Sequence, residues 1–374
     1  MLGGSIRPAL ERMSKYLGLS ASEFEHGSPA RLGVLLVNLG TPAAPTPSAV
    51  RKFLAEFLWD PRVVEFPRPL WWLVLHGVIL RFRPRRSAHA YQQIWTPEGS
   101  PLLLHCQALA VRIQSELQAQ GRSMQVELGM TYGAPSIRTA LQKMHGNGVR
   151  QLIVLPLYPQ YSCTTTASVF DCVSATLQQW RWLPDLRFIS GYHDDAGYIA
   201  AAAASIREHW KSHERRHLLY SFHSEPRKYL LSGDPYYCQC LKTARLVSEQ
   251  LGLAADEWSA SFQSRLGRAE WLRPYTDEQL AKFARSGPKR VTVVCPGFAT
   301  DNLETLEEIA IRNRADFLQQ GGEAFEYIPA LNASQAHVNL LVDLITRHAR
   351  GWPHLVDTAD RATLERARRA GAAR

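Results

Sequence analysis

The stretch GVLLVNLGTP, from Gly33 to Pro42, has the pattern of a buried strand that ends in a polar turn. Short apolar runs of this kind, bounded by turn residues and separated by helical patterns, are typical of parallel β-α-β units. The predicted strands are Gly33–Asn38, Gln125–Met130, Gln151–Leu155, Leu186–Ser190, Leu218–Phe222, Ser259–Gln263, Arg290–Cys295 and Phe325–Ile328. These runs fall into two sets of four.

Helical patterns connect the predicted strands. The clearest are Ala108–Gln120, Tyr198–Trp210, Tyr237–Gly252, Leu303–Gln320 and Ser334–Ala349. This order predicts an α/β fold of two similar doubly wound domains, each with a four-stranded parallel sheet flanked by helices. We expect an N-terminal extension (1–30), a first α/β domain (31–192), a second (193–350) whose last helix packs back on the first, and a basic tail (351–374).

The composition restricts the class of protein. With 374 residues, of which 45% are hydrophobic and 21% charged, the chain can form a large core, which excludes a disordered protein. Six cysteines without a Cys-x-x-Cys pair argue against a disulfide scaffold or a zinc ribbon, and no secretory signal is apparent in the first 20 residues, so we expect a cytoplasmic protein. A net charge of +9 suits nucleic acid, an anionic membrane surface or a carboxylate-bearing substrate.

The longest apolar run, Pro69–Leu80, has 12 residues, whereas a membrane span needs about 20. It contains Trp71 and Trp72 and is followed by the basic stretch Arg81–Arg86. Two interpretations stay open. The run is either a buried helix with a solvated basic end, or a surface that lies in a membrane interface, which would place the protein at the inner face of the membrane.

In open parallel sheets, ligands bind beyond the carboxyl ends of the strands. His223 lies at such a position, and a neutral imidazole there could accept a proton or bind a divalent metal. A structural, hydrogen-bonded histidine is the alternative interpretation.

The segment Asp301–Glu308 starts a predicted helix at another strand end. Asp301 and Glu304 match a capping box, which would explain them structurally. The capping box does not explain the third acid, Glu307, and Glu304 and Glu308 would share one helix face, where they could bind a divalent cation or transfer protons.

Other motifs indicate little. The sequence contains no G-x-x-x-x-G-K-[ST] and no G-x-G-x-x-G, which argues against common nucleotide-binding enzymes. The H-E-x-x-H match at His213–His217 spans a junction between a helix and a strand, so we do not expect a zinc protease. The tail segment Arg361–Ala370 has no aromatic residues for stacking on bases, so we expect no nucleic-acid binding.

Together, the strand-end segments resemble those of ferrochelatases, which insert Fe²⁺ into protoporphyrin IX in the last step of haem synthesis. The resembling segments are 36–42, 155–166, 221–226, 233–236, 261–265 and 296–308, in the family's order. The resemblance implies a class II chelatase-like fold with a porphyrin cleft between the two domains, and protoporphyrin IX and ferrous iron as the binding partners.

The resemblance also implies roles for single residues. His223 matches the active-site histidine and Glu304 the essential carboxylate, so both are expected to be catalytic and to bind the metal, and Glu308 matches a further acid. The expected substrate-binding residues are Leu39, Tyr132, Ser162 and Trp271.

The sequence departs from the family at two of these segments. Glu225 stands where many relatives have Leu, and Asn302 where animal relatives have His. Animal relatives hold a [2Fe–2S] cluster through cysteines in a C-terminal tail, but no cysteine follows Cys295 here, so we expect no cofactor beyond the substrate iron. Three alternatives stay open, namely a coproporphyrin ferrochelatase, another tetrapyrrole metal chelatase and a non-catalytic porphyrin or haem carrier.

Overall fold

A computed structural model describes residues 16, 30–265, 267, 269–352, 365–366 and 368–371. The predicted N-terminal extension and basic tail lie almost wholly outside the described residues.

The described residues form two four-stranded sheets in which all neighbouring strands are parallel. The strand order is β2-β1-β3-β4 in the first sheet and β6-β5-β7-β8 in the second. The strands are β1 (Arg31–Asn38), β2 (Met124–Met130), β3 (Val149–Pro156), β4 (Asp185–Phe188), β5 (His217–His223), β6 (Trp258–Gln263), β7 (Arg290–Val294) and β8 (Ala324–Ile328). This confirms the predicted fold class. The main differences are at strand ends, because β4 stops at Phe188 rather than Ser190 and β5 includes His223 as its last residue.

Helices connect the strands and cover the sheets. The α-helices are α1 (Pro47–Trp59), α2 (Arg68–Val74), α3 (Leu80–Ile94), α4 (Pro101–Ala119), α5 (Ile137–Gly146), α6 (Ser168–Leu177), α7 (Ala196–Trp210), α8 (Arg227–Leu231), α9 (Tyr236–Leu251), α10 (Thr276–Ser286), α11 (Arg314–Gln319) and α12 (Gln335–His348). Three segments have π-helical hydrogen bonding, π1 (Leu75–Ile79), π2 (Cys163–Ala167) and π3 (Glu304–Asn313).

The two sheets share one continuous apolar core. Alternate residues of β1 face opposite sides, because successive side chains in a strand point in opposite directions. Leu36 belongs to a cluster that continues through α4, α7 and α12 to Leu218 and Phe222 of the second sheet, whereas Leu35 packs towards α5 and α6. The strands are therefore buried on both faces, which leaves their ends as the places for polar chemistry.

The last helix lies against the first half of the chain. Arg112 of α4 donates to the Gln335 side chain over 2.6 Å. Arg187 of β4 donates to the carbonyl groups of His348 and Arg350, and its guanidinium lies 4.0 Å from the centre of the Trp352 ring. These contacts join the two halves on the side of the sheets that faces α12.

The interpretation of Pro69–Leu80 as a buried helix is wrong. The run forms α2, π1 and the start of α3, and only Leu75 and Leu80 of it are buried. Trp71 and Ile79 are partly buried. The exposed large apolar side chains of the run are Leu70, Trp72, Leu73, Val74 and Val78. Within the described part of the chain, none of the helices combines the length and the hydropathy that a membrane crossing requires.

Replacement of Leu36 by alanine tests the shared core. Leu36 is fully buried, so Leu36→Ala should lower the free energy of unfolding by about 2–5 kcal/mol through lost burial and a residual cavity. Urea denaturation followed by circular dichroism measures this. The control is Leu231→Ala, a leucine that is 73% exposed, which should leave the curve within experimental error. Equal effects of the two substitutions would contradict the described core.

Candidate active site

The buried side chain of Gln263 connects the two predicted catalytic segments. Gln263 is the last residue of β6 and pairs in register with His223 of β5. Its amide nitrogen donates to the carbonyl oxygen of Glu304 over 3.1 Å, and its amide oxygen accepts from the Ser221 hydroxyl over 2.6 Å. Gln263 therefore links the end of β5, where His223 lies, to the first residue of π3 at the carboxyl edge of the second sheet.

His223 has one ring nitrogen fixed by the backbone. Its Nδ1 lies 2.6 Å from the carbonyl oxygen of Ser224. Since a carbonyl can only accept, we assign the proton to Nδ1, which leaves the lone pair on Nε2. Burial lowers the pKa of His223 below its usual value, against the opposing effect of the Ser224 carbonyl. The neutral imidazole is thus the dominant form near neutral pH, with a nitrogen that can accept a proton or bind a metal.

The expected capping box of Asp301 and Glu304 is wrong. The backbone N–H of Thr305 donates to Oδ1 of Asn302, and the N–H of Asn302 donates to the Thr305 hydroxyl, both over 3.0 Å. Asp301 instead accepts hydrogen bonds from Thr305, Tyr327 and Asn332. Asn302 performs the capping because its amide oxygen reaches the N–H three residues on, so the Glu304 carboxyl is not needed for the cap.

Burial changes the acidity of Glu304. Its pKa is raised to about 7, chiefly by burial and further by the charge of Glu308, while Arg83 opposes the rise. A carboxyl group with this pKa exchanges its proton readily near neutral pH, whereas an ordinary glutamate is fully ionised there.

Glu308 is held by the residue that follows β6. The N–H of Ser264 donates to Glu308 Oε1 over 2.9 Å, and the Ser264 hydroxyl donates to Oε2. Ser264 has a φ of 67°, in the left-handed region that serine seldom adopts, so the turn is strained where it binds the acid. Burial raises the pKa of Glu308, and the hydrogen bonds from Ser264 oppose that rise.

The third acid of this segment has a structural explanation. Glu307 is buried and forms a bidentate ion pair with Arg312, with distances of 2.9 and 3.2 Å. Glu307 therefore neutralises a cation of its own helix, while Glu304 and Glu308 lie at the β5 and β6 ends. The segment is a π-helix, a form that occurs frequently at functional sites.

Arg83 of α3 brings a positive charge to the site. α3 packs against π3, and Glu304 is the group that most favours the charged form of Arg83, although burial lowers the pKa of its guanidinium. The sequence pattern placed Arg83 in an exposed basic stretch. No local signal could have separated it from Arg81, Arg85 and Arg86, because only the folding of α3 over π3 turns this one side chain inward.

The four expected substrate-binding residues lie in different environments. Tyr132 is buried and donates its hydroxyl to Asp60 over 2.7 Å, and Leu39 is partly buried in the same apolar cluster. Ser162 is fully buried and donates to Glu225. Trp271 is partly buried and pairs by a backbone bridge with Pro226, close to His223 in sequence. The hydroxyl groups of Tyr132 and Ser162 are thus engaged with protein, and the substrate-binding roles of all four residues stay predictions.

Glu225 links the loops that follow β3 and β5. It is buried, and its Oε1 accepts from the hydroxyls of Ser162 and Thr164, the latter over 2.7 Å. Burial raises its pKa to about 7, which the two hydroxyls oppose. The departure noted in the sequence therefore places a carboxyl between the two halves, where it holds the Ser162 loop.

The titration of Glu304 predicts a pH-dependent stability. Because its pKa of about 7 in the folded state exceeds the ordinary value of 4.5, the proton is bound more tightly in the folded state, and stability falls as the pH rises from about 4.5 to 7. We expect Glu304→Gln to exceed the wild type in unfolding free energy by up to about 3 kcal/mol at pH ~8 and to match it at pH ~4. Urea titrations at both pH values measure the difference.

The exposed glutamate Glu98 provides the control for this prediction. Glu98→Gln should show no pH-dependent difference from the wild type. If the difference in unfolding free energy between Glu304→Gln and the wild type were the same at both pH values, Glu304 would titrate normally and the prediction would be wrong.

The chain is similar to known proteins over most of its length. The family model "Ferrochelatase" matches residues 31–349. The ferrochelatase of Nitrosococcus oceani is 57% identical over 332 residues, which cover 88% of this chain and 90% of the relative. The ferrochelatase of Marinobacter nauticus is 53% identical over 352 residues, with coverage of 92% and 95%.

Among solved structures, the sirohydrochlorin chelatase SirB from Bacillus subtilis subspecies spizizenii in complex with cobalt has the same fold. The TM-score is 0.51 at 11% sequence identity, and the similarity covers 86% of this chain and 97% of SirB. The sequence matches are more specific than the shared fold. They show that this chain belongs to the ferrochelatase family.

Proposed function

We propose that this protein inserts Fe²⁺ into protoporphyrin IX to form protohaem. The observation that carries the proposal is that a neutral imidazole, His223, and a protonatable, partly buried carboxyl group, Glu304, belong to segments that Gln263 links at the carboxyl edge of one sheet. Membership of the ferrochelatase family supports it.

Insertion requires two changes in the substrates. The free-base porphyrin must lose two pyrrole protons, and Fe²⁺ must lose its water ligands. The Nε2 lone pair of His223 is a base of suitable strength for the protons, or a ligand for the metal, since imidazole binds Fe²⁺ well.

Glu304 and Glu308 would bind whichever of the two, the pyrrole protons or Fe²⁺, does not bind to His223. Carboxylate oxygens bind Fe²⁺, and a carboxyl whose pKa is about 7 can exchange its proton for a metal ion near neutral pH. Glu308 is oriented by two hydrogen bonds from Ser264. Arg83 favours the ionised form of Glu304 and so facilitates release of its proton.

The walls of the site would bind and distort the macrocycle. A flat porphyrin directs its nitrogen lone pairs inward, so bending it exposes them to the metal. A strain of ~1–5 kcal/mol is within what remote binding contacts supply. We assign this contact role to Leu39, Tyr132, Ser162 and Trp271.

The His223→Ala and Glu304→Gln variants test the proposal. Purified protein is mixed anaerobically with protoporphyrin IX and Fe²⁺ or Zn²⁺, with no other cofactor, and metalloporphyrin formation is followed by absorbance and fluorescence. We expect each variant to lose at least about 10²-fold in rate, the range for loss of an acid–base group. The matched control is His89→Ala, an exposed histidine on α3, which should keep the wild-type rate.

Other outcomes of the same assay identify the alternatives. Near-wild-type insertion by His223→Ala would refute the assigned role of that residue. Faster turnover of coproporphyrin, or of Co²⁺ or Ni²⁺ with a related tetrapyrrole, would identify one of the other chelatases. Tight porphyrin binding without insertion in the wild type would identify a carrier.

We also propose that the α2–α3 surface docks on an anionic membrane at the cytoplasmic face. The surface consists of exposed apolar side chains beside exposed arginines. Trp72 is 51% exposed and Phe82 72% exposed, and Arg81, Arg85 and Arg86 follow on the same segment. Apolar groups that enter the interface and cations that meet lipid phosphates are the pattern of interfacial helices. An apolar porphyrin dissolved in the bilayer would reach the protein there.

Liposome flotation tests the docking surface. We expect wild-type protein to float with phosphatidylglycerol vesicles more than with phosphatidylcholine vesicles, and Trp72→Ser/Phe82→Ser to lose most of that binding. Trp71 is unsuitable for this test because its ring N–H donates to the Leu58 carbonyl over 2.7 Å. Val111→Ser, an exposed apolar residue on α4, is the control. Equal flotation of both variants would contradict the surface.

A further inference from the structure

A cluster of two histidines and a glutamate lies away from the proposed active site. His209 is in the last turn of α7, His213 follows the helix, and Glu326 lies in the middle of the edge strand β8. The chain enters β5 soon after His213, so the cluster lies near the amino edge of the second sheet. His223 and Glu304 lie at the carboxyl edge. The cluster is therefore separate from the chemistry described above.

The three side chains lie close together. His209 Nε2 lies 2.8 Å from Glu326 Oε2, and the rings of His209 and His213 are parallel within 3°, with centroids 4.1 Å apart. One ligand atom from each residue lies within 4.8 Å of the other two. His213 lies in the turn after α7, and this turn brings its ring beside that of His209, four residues earlier.

The H-E-x-x-H motif of the sequence is not this site. His213 belongs to both, but His217 lies in β5 and its Nε2 contacts the Ser259 hydroxyl over 2.9 Å. The partner of His213 is instead His209, four residues before it. The sequence motif therefore paired His213 with the wrong histidine, because His217 is already the first residue of β5.

The orientation of His213 suits a metal ligand. Its Nδ1 lies 3.1 Å from the carbonyl oxygen of His209 and 2.9 Å from the Ser212 hydroxyl. The carbonyl requires a donor, so Nδ1 carries the hydrogen and Nε2 presents its lone pair. Metal-binding histidines commonly donate their other ring N–H to a carbonyl in this way.

Glu326 is oriented by a second contact. Arg216 Nη1 lies 2.6 Å from Oε1, and Oε2 faces His209. The arginine charge opposes a nearby cation, but it also fixes the carboxylate with one oxygen directed at the imidazole. The donor set is two nitrogens and one carboxylate oxygen, which is a common set for zinc and also suits cobalt and nickel.

We propose that His209, His213 and Glu326 bind one Zn²⁺ ion, with water in the remaining position. The ion replaces the hydrogen by which His209 Nε2 is bonded to Glu326 Oε2 over 2.8 Å, and that proton is released to solvent. The ion joins the end of α7 to the edge strand β8. Binding to the folded state alone stabilises it in proportion to the logarithm of the metal concentration. The site is independent of porphyrin metalation, so it stands or falls separately from the proposed function.

A Co²⁺ titration of the full-length chain tests the site, because Co²⁺ in a four-coordinate site with nitrogen ligands absorbs strongly in the visible range. Chelator-treated protein carrying His223→Ala is used as the background, so that the active-site imidazole does not contribute. We expect one absorbing Co²⁺ per chain, displaced by Zn²⁺. Adding His213→Ala or Glu326→Gln should weaken binding by at least about tenfold.

The matched control is His76→Ala in the same background, since His76 is also an exposed histidine. It should keep wild-type affinity and spectrum. Thermal unfolding gives a second readout, because Zn²⁺ should raise the melting temperature of the background protein but not that of the His213→Ala variant. Circular dichroism confirms that the variants fold. Identical Co²⁺ spectra and affinities in the His213→Ala and His76→Ala proteins, or no absorbing Co²⁺ in the background protein, would overturn the proposal.

Discussion

The side chain of Gln263 is the interaction on which the site depends. Its two polar ends bind different elements, because the amide oxygen accepts from Ser221 of β5 and the amide nitrogen donates to the carbonyl of Glu304 in π3. The contact with Ser221 is buried and the contact with Glu304 is partly buried, and an unpaired polar atom in such surroundings is costly. The register of β5 against β6 then places His223 beside Gln263. Gln263 therefore links the backbone that carries Glu304 to the strand that carries His223.

The low-polarity surroundings of these residues decide their protonation states. Burial disfavours charge, so the pKa of His223 falls while the pKa values of Glu304 and Glu308 rise. Near neutral pH, His223 is then a base without its proton, and Glu304 is an acid that can retain its proton. Metalation of a porphyrin requires both. Arg83 favours the ionised form of Glu304, and the hydrogen bonds from Ser264 favour the ionised form of Glu308. They therefore limit the rise in the pKa values of the two carboxyl groups.

Polar contacts between the two halves surround the site. Asn38, at the end of β1, donates to the Thr300 hydroxyl over 3.2 Å, and Gln160 donates to Thr243 over 3.0 Å. Ser162 and Glu225 form a third such contact. Directional contacts of this kind fix the position of one strand edge relative to the other, while the apolar core that both sheets share supplies most of the cohesion.

The sequence by itself determined the two parallel sheets, the positions of their strands to within a few residues, and the strand-end segments that carry His223, Glu304 and Glu308. Apolar runs and turn residues are local signals, which is why these features could be predicted. Other features depend on contacts between distant segments. The exposure of Trp72, the inward turn of Arg83, the hydrogen bonds of Asp301 with Tyr327 and Asn332, and the contact of His209 with Glu326 all follow from how helices pack on sheets. Only the tertiary structure could decide them, because residues far apart in sequence set the burial and the charge around each side chain.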